Sequence, residues 1–332
     1  MKDRKAAFRS DSPSRPRLSD LARLVRAPAA LSVPGDILAG AAAAGTPWRP
    51  RTLGAMGSSV CLYWAGMALN DYADATVDAV ERPERPVPSG RVSRRTALAV
   101  ATGLTAAGLG LARASGGRRA LLGALPLAGL VWAYDLGLKA GPAGPAVMAA
   151  ARTVDVLSGA LAAAPDGGGD AATALRRGAG PALLVGVHTY TLTALSRHEI
   201  SGAPARVPAT TLAASTATAL ATAAAPVLRA AREGGRPGSR TGIGAMSAAA
   251  GSAAVVTAAA ALTYLGTYGT AQLKAALRPS GENVRGAVGA GILALVPLQA
   301  ALTARAGAPA AATALGLAHP LARRLARRIS PT

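Results

Sequence analysis

The chain has one cysteine, one phenylalanine and three histidines in 332 residues, and 16 acidic side chains against 36 basic ones. A single thiol, Cys61, excludes an intrachain disulfide and a cysteine metal cluster. Set inside an apolar run, it reads as a small buried hydrophobe. A phosphate-cradling loop is also missing. The glycine-rich stretch from Pro165 to Asp170 has no Lys-Ser/Thr after it and no strand before it, so it reads as a flexible connector. Residues 1–17 are basic, with Ser and Pro, and lack the apolar core and small-residue cleavage site of a secretory signal. They are expected to be a disordered cytoplasmic tail. No short-period repeat and no soluble domain is visible.

What is present is apolar: 51% of residues are hydrophobic and the mean hydropathy is +0.30. Runs of about 18–25 apolar residues recur along the chain, the mark of a polytopic α-helical membrane protein. Alanine and glycine dominate them, which suits close helix packing. The expected fold is all-α, a membrane bundle of about nine crossings, or ten. The segments fall near 29–45, 52–73, 95–113, 118–138, 143–164, 179–199, 207–231, 246–270 and 284–303, with 307–322 as the tenth candidate. Residues 18–325 form one transmembrane domain and 326–332 a short basic tail. The stretch 18–27 is amphipathic and can lie on the membrane surface.

A net charge of +20 can signal nucleic-acid binding. Here the arginines sit between apolar runs and at the termini, which is the pattern of membrane topology, so no nucleic-acid partner is expected. Eight Lys or Arg between Lys2 and Arg26, and the loop carrying Arg82, Arg85, Arg91, Arg94 and Arg95, place both regions in the cytoplasm. Arg229, Arg232, Arg236 and Arg240 would then fall outside, which strains the count. The basic end, Arg323-Arg324 and Arg327-Arg328, favours ten crossings.

The few acids gather in one place. Trp64 to Asp78 begins as an apolar helix and ends in Asn70, Asp71, Asp74 and Asp78. Asn70, Asp74 and Asp78 are spaced i, i+4, i+8 and stack along one helical face, with Asp71 widening it. Carboxylates this close repel unless a cation sits among them. An all-oxygen set suits Mg²⁺, which keeps waters and bridges to substrate phosphates. The plain alternative is a solvated helix end. The other three segments that run the same way carry the remaining unusual residues: Tyr134, Asp135 and Lys139; His188, Tyr190, Arg197, His198 and Glu199; Tyr264 and Tyr268. Eight of the ten aromatic residues lie on these four segments, as an interfacial belt or as a wall facing a cation. His188, in mid-segment, reads either as a base or as a hydrogen-bonded bundle histidine.

Asn70-x-x-x-Asp74-x-x-x-Asp78, followed by Arg85-Pro-x-x-Ser-Gly90-Arg91, resembles the first signature of the UbiA superfamily of intramembrane prenyltransferases. Tyr134 and Lys139, then Gly141 and the Arg152 region, resemble that family's connection between segments 4 and 5. Within the family the chain is similar to the EboC-like actinobacterial members. The resemblance implies a bundle around a central cavity open to lipid, Mg²⁺ ions holding an isoprenyl diphosphate, and transfer of the prenyl group to a small-molecule acceptor at the cytoplasmic face of the cell membrane. It implies metal contacts at Asn70, Asp71, Asp74, Asp78 and Glu199, and substrate contacts at Arg85, Arg91, Lys139, Arg197, Tyr72, His188 and Arg152. Lys139, Tyr134 and Glu199 would stand at the chemistry. The departure is at the second motif. The family has an aspartate-rich run there; this chain has Ser196-Arg197-His198-Glu199. Glu199 is the remaining carboxylate, so the second metal has fewer ligands, Arg197 takes part of its place, or catalysis is altered. Two other readings stand beside the enzyme: an ion-coupled membrane carrier and a non-catalytic binder of lipid diphosphates.

Overall fold

The computed structural model describes residues 16–27, 32–164, 171–234 and 243–329. Most of the expected N-terminal tail, the connector 165–170, Arg236, Arg240 and the last three residues of the C-terminal tail lie outside them. Among the described residues the chain is helical, with no strand. The helices are α1 (Leu18–Leu24), α2 (Val33–Ala43), α3 (Pro50–Ala73), α4 (Ala75–Glu81), α5 (Arg94–Ala133), α6 (Gly144–Ala163), α7 (Ala171–Ser196), α8 (Arg206–Gly234), α9 (Ile243–Tyr264), α10 (Thr270–Leu277), α11 (Gly281–Arg305) and α12 (Pro309–Ile329). Single π-helical turns follow α5 (Tyr134–Leu138) and α9 (Leu265–Gly269).

The helix starts follow from the sequence. Pro50 and Pro145 occupy the first turns of α3 and α6, where a missing N–H costs nothing. Ser93 and Ser280 cap α5 and α11 by accepting from the N–H groups of Thr96 and Asn283. The expected segments 95–113 and 118–138 are the two legs of α5, folded back at Gly117, whose φ of 62° is left-handed and costs glycine little. The fold-back is shown by Trp132, whose indole N–H donates to the Thr105 hydroxyl at 3.0 Å. In a straight helix residues 27 apart lie about 40 Å apart.

By length and composition α3, the α5 hairpin with its π turn, α6 and α11 are apolar enough to cross a membrane. Of the first expected segment, 29–45, residues 29–31 lie outside the described ones, and the described helix is Val33–Ala43. Its eleven-residue helix spans about 16 Å, roughly half the hydrocarbon thickness. Pro34 sits in the first turn of this helix, where a missing N–H costs nothing. The acidic stretch also departs from a single regular helix, because α3 stops at Ala73 and α4 begins at Ala75.

Alanine and glycine permit near contact between backbones. A Cβ at Gly40 would run into the carbonyl oxygen of Val156, and one at Gly159 into that of Ile37, so α2 and α6 cross with no room for a side chain. Gly159→Leu is expected to lower the thermal unfolding midpoint in detergent by an amount matching at least the ~1–3 kcal/mol of ordinary overpacking. An unchanged midpoint would show that this crossing is loose. Deeper in the core Tyr264 and Tyr268 pack with Val185, Leu295 and Leu298.

Candidate active site

α3 delivers its last turn with Asn70 and Asp71, and the chain then breaks regular helix at Asp74 (φ −88°, ψ 6°). Two bonds nevertheless carry the i to i+4 ladder through the break. The Asp74 N–H donates to the Asn70 carbonyl at 2.9 Å, and the Asp78 N–H to the Asp74 carbonyl at 2.8 Å. The predicted stack therefore keeps its register into α4.

Each acid meets a base from elsewhere in the chain. Asp78, 1% exposed, accepts from Arg85 at 2.5 Å and from Arg82 at 3.4 Å. Asp71, also 1% exposed, faces Arg26 at 3.0 Å and Arg85 at 3.7 Å. Asp74 lies 2.7 Å from the Lys139 amine, and the Asn70 amide donates to Asp135 at 3.1 Å. One arginine, Arg85, thus bridges two buried carboxylates, while Lys139 holds the third.

Local structure fixes these cations. The loop after α4 folds back on itself: the Ser89 N–H donates to the Arg85 carbonyl and the Val92 N–H to the Pro86 carbonyl, with Gly90 at φ 76°. Arg26 adopts φ 44°, the one left-handed non-glycine residue among those described, as its guanidinium reaches Asp71 and the Met67 sulfur. The π turn Tyr134–Leu138 sets Asp135 and Lys139 beside the end of α3; such extra-residue turns recur at functional sites. At the end of α7 the Arg197 guanidinium donates to the carbonyls of Lys139, Ala140 and Gly141.

The model of the UbiA prenyltransferase family matches residues 32–327. The chain belongs to that family. A digeranylgeranylglyceryl phosphate synthase of Methanopyrus kandleri is 62% identical over 47 residues, covering 14% of this chain and 17% of that protein. One of Ignicoccus hospitalis is 36% identical over 157 residues, 46% of this chain and 50% of the relative. The chain thus spans between about a sixth and a half of these relatives' lengths. A UbiA homologue from Aeropyrum pernix superposes with a TM-score of 0.57 at 20% identity, covering 80% of this chain and 94% of that one. One from Archaeoglobus fulgidus, bound to GPP and Mg²⁺, gives 0.51 at 16%, covering 83% and 99%. At these identities the superpositions establish the fold.

Set on this UbiA bundle, the residues expected from the sequence divide. Asn70, Asp71, Asp74, Asp78, Arg85 and Lys139 come together, with Arg197 alongside and Tyr134 on the same π turn. Others are engaged elsewhere. Arg91 ties its loop to α1 through Asp20 at 3.7 Å, and the Tyr72 ring lies under Arg94 at 4.5 Å. Arg152 pairs with buried Asp36 at 2.7 Å, inside the bundle. His188 Nδ1 bonds the Tyr264 hydroxyl at 3.0 Å, and its ring packs edge-on against Tyr264 and Tyr268. Glu199 follows α7, and its carbonyl accepts from Arg285. Burial pushes the Glu199 carboxyl above its usual range, with Arg285 and then Arg82 pulling it back. Sequence reasoning missed Arg26 and Asp135 as members of the cluster. Asp135 was legible as the neighbour of Tyr134; Arg26 gave no signal beyond its place in an amphipathic stretch.

Among the described residues no three His, Cys, Asp or Glu side chains close around one point as a metal cage. The side-chain oxygens of Asn70, Asp74 and Asp78 are of the kind that would hold Mg²⁺ where one or two carboxylates bind it and water and phosphate oxygens complete its shell.

Proposed function

We propose that this chain is an integral-membrane prenyltransferase, moving an isoprenyl group from an isoprenyl diphosphate to a small-molecule acceptor in a Mg²⁺-dependent reaction. The observation that carries this reading is the pairing at the end of α3, where Arg85 spans Asp71 and Asp78 while Lys139 holds Asp74. The relatives named as digeranylgeranylglyceryl phosphate synthases, and the UbiA homologue bound to GPP and Mg²⁺, support a prenyl diphosphate as donor. The charge pattern of the loops supports a cell-membrane location with the site at the cytoplasmic face.

The chemistry follows from the charges. The bond between the prenyl C1 and the diphosphate oxygen breaks, and the electron pair leaves with the diphosphate. Bound Mg²⁺ would neutralise leaving-group charge. Arg85 and Lys139, fixed beside it, stabilise the same developing charge without rearranging. The allylic carbon is left cationic, and the acceptor's nucleophile closes the new bond and gives up its proton.

The test is binding of geranyl diphosphate to the purified full chain with and without Mg²⁺, against an Asp74→Ala, Asp78→Ala double variant. Binding that needs both the metal and the aspartates is expected. Binding indifferent to both would overturn the reading in favour of a carrier or scaffold.

A further inference from the structure

The cations around the site are of two kinds. Arg26, Arg82, Arg85 and Lys139 each face an aspartate within 3.4 Å. Arg197 does not. Its Nη2 is spent on the backbone carbonyls of residues 139–141, and among the described residues it has no carboxylate partner. Those carbonyls end the π turn that carries Lys139, so Arg197 stands beside Lys139, which itself holds Asp74. Carbonyl dipoles at a helix end hold a guanidinium, but less strongly than an anion would. Arg197 is exposed at this rim, and Nη1 and Nε make none of the carbonyl bonds, so an edge of the fork faces outward.

Its position is fixed from behind. Leu195 is fully buried, and the turn after α7 is closed by the His198 N–H on the Leu195 carbonyl and the Gly202 N–H on the His198 carbonyl, each 3.0 Å. The same turn carries Glu199, whose carboxyl lies in the field of Arg285 first and of Arg82 second, and whose carbonyl accepts from Arg285. The end of α7 therefore brings an arginine and a single carboxylate that already faces arginines, in place of an acidic run.

The charges decide what that is for. Asp71, Asp74, Asp78, Asp135 and Glu199 against Arg26, Arg82, Arg85, Lys139 and Arg285 leave the cluster close to neutral. An isoprenyl diphosphate brings roughly three negative charges at neutral pH. One Mg²⁺ leaves about one uncompensated, and Arg197 is the cation not already neutralised by a carboxylate. Building on the diphosphate-donor reading above, we propose that Arg197 clamps the terminal phosphate of the donor, leaving the 139–141 carbonyls for it, so that the site works with one Mg²⁺ per diphosphate.

The experiment uses the full chain in detergent and measures binding of geranyl diphosphate and geranyl monophosphate across a Mg²⁺ titration, for the wild type, Arg197→Gln and Arg197→Lys. The wild type is expected to bind the diphosphate with a Mg²⁺ Hill coefficient near one. Arg197→Gln is expected to weaken the diphosphate by about tenfold or more and the monophosphate less than about twofold, because the latter lacks the terminal phosphate. Arg197→Lys is expected to recover part of the loss, having charge without the fork. Equal loss of both ligands would mean that Arg197 only staples the π turn, and would overturn the proposal. So would diphosphate binding unaffected by Arg197→Gln, or a wild-type Hill coefficient near two. Those results leave the donor reading standing. A wild type that binds no diphosphate with Mg²⁺ overturns both.

Discussion

Lys139→Met is expected to lower kcat/KM for prenyl transfer by about a hundredfold to a thousandfold while tightening Mg²⁺ binding. The first effect follows from position. The amine is held by Asp74 at 2.7 Å at the end of a π turn, in a site that on the proposed function would receive a departing anion. Removing one preorganised donor from such a site typically costs that much. The second effect has the opposite sign because, on the proposed function, Lys139 and the metal would share the Asp74 carboxylate. Without the amine, Asp74 keeps its full charge for the ion. Steady-state kinetics and a Mg²⁺ titration on the same preparation check both. A variant that loses activity and Mg²⁺ affinity together would mean that Lys139 shapes the site and takes no part in neutralising the leaving group. Lys139→Arg should keep most of the binding and less of the rate, since the planar fork is a poor copy of a point charge.

The second large effect lies deeper. Arg152→Met is expected to lower the thermal unfolding midpoint in detergent by on the order of 10 °C, corresponding to ~3–5 kcal/mol for breaking a buried ion pair. Arg152 donates to Asp36 at 2.7 Å and to the Ser32 hydroxyl at 3.2 Å, and its guanidinium lies over the Tyr63 ring at 4.7 Å. Gln299 on α11 donates to the same Asp36 at 2.6 Å, and Asp155 one turn further along α6 bonds Ser59. The group ties α2, α3, α6 and α11 together. Deleting the guanidinium strands Asp36 as an unpaired buried charge, and the penalty is mostly that of Asp36. The double variant Asp36→Leu, Arg152→Met should therefore recover much of the loss, because the two charges leave together. Arg152 lies about 12 Å along α6 from Gly144, so Mg²⁺-dependent diphosphate binding by folded Arg152→Met should stay near the wild-type value. A variant with unchanged stability and lost diphosphate binding would instead put Arg152 in the substrate site, the role that the family resemblance implies for it.

The sequence determined the class of the fold and half of the site. Runs of alanine and glycine long enough to cross a bilayer allow little besides helices, because backbone groups in lipid must be satisfied within the segment. The i, i+4, i+8 spacing of Asn70, Asp74 and Asp78 is local, and the i to i+4 bonds hold that register even where the helix breaks at Asp74. Arg85 follows within a few residues, so its partnership with Asp78 was also within reach of spacing. Only the tertiary structure decided the rest. Arg26 meets Asp71 across 45 residues, Asn70 meets Asp135 across 65, and Arg152 meets Asp36 across 116. Such pairings depend on which helices lie side by side and at what depth, and no periodicity in the string encodes them. The same holds for Arg197, which the sequence shows only as an arginine where acids were expected. Its hold on the carbonyls beside Lys139 exists because α7 ends against the π turn.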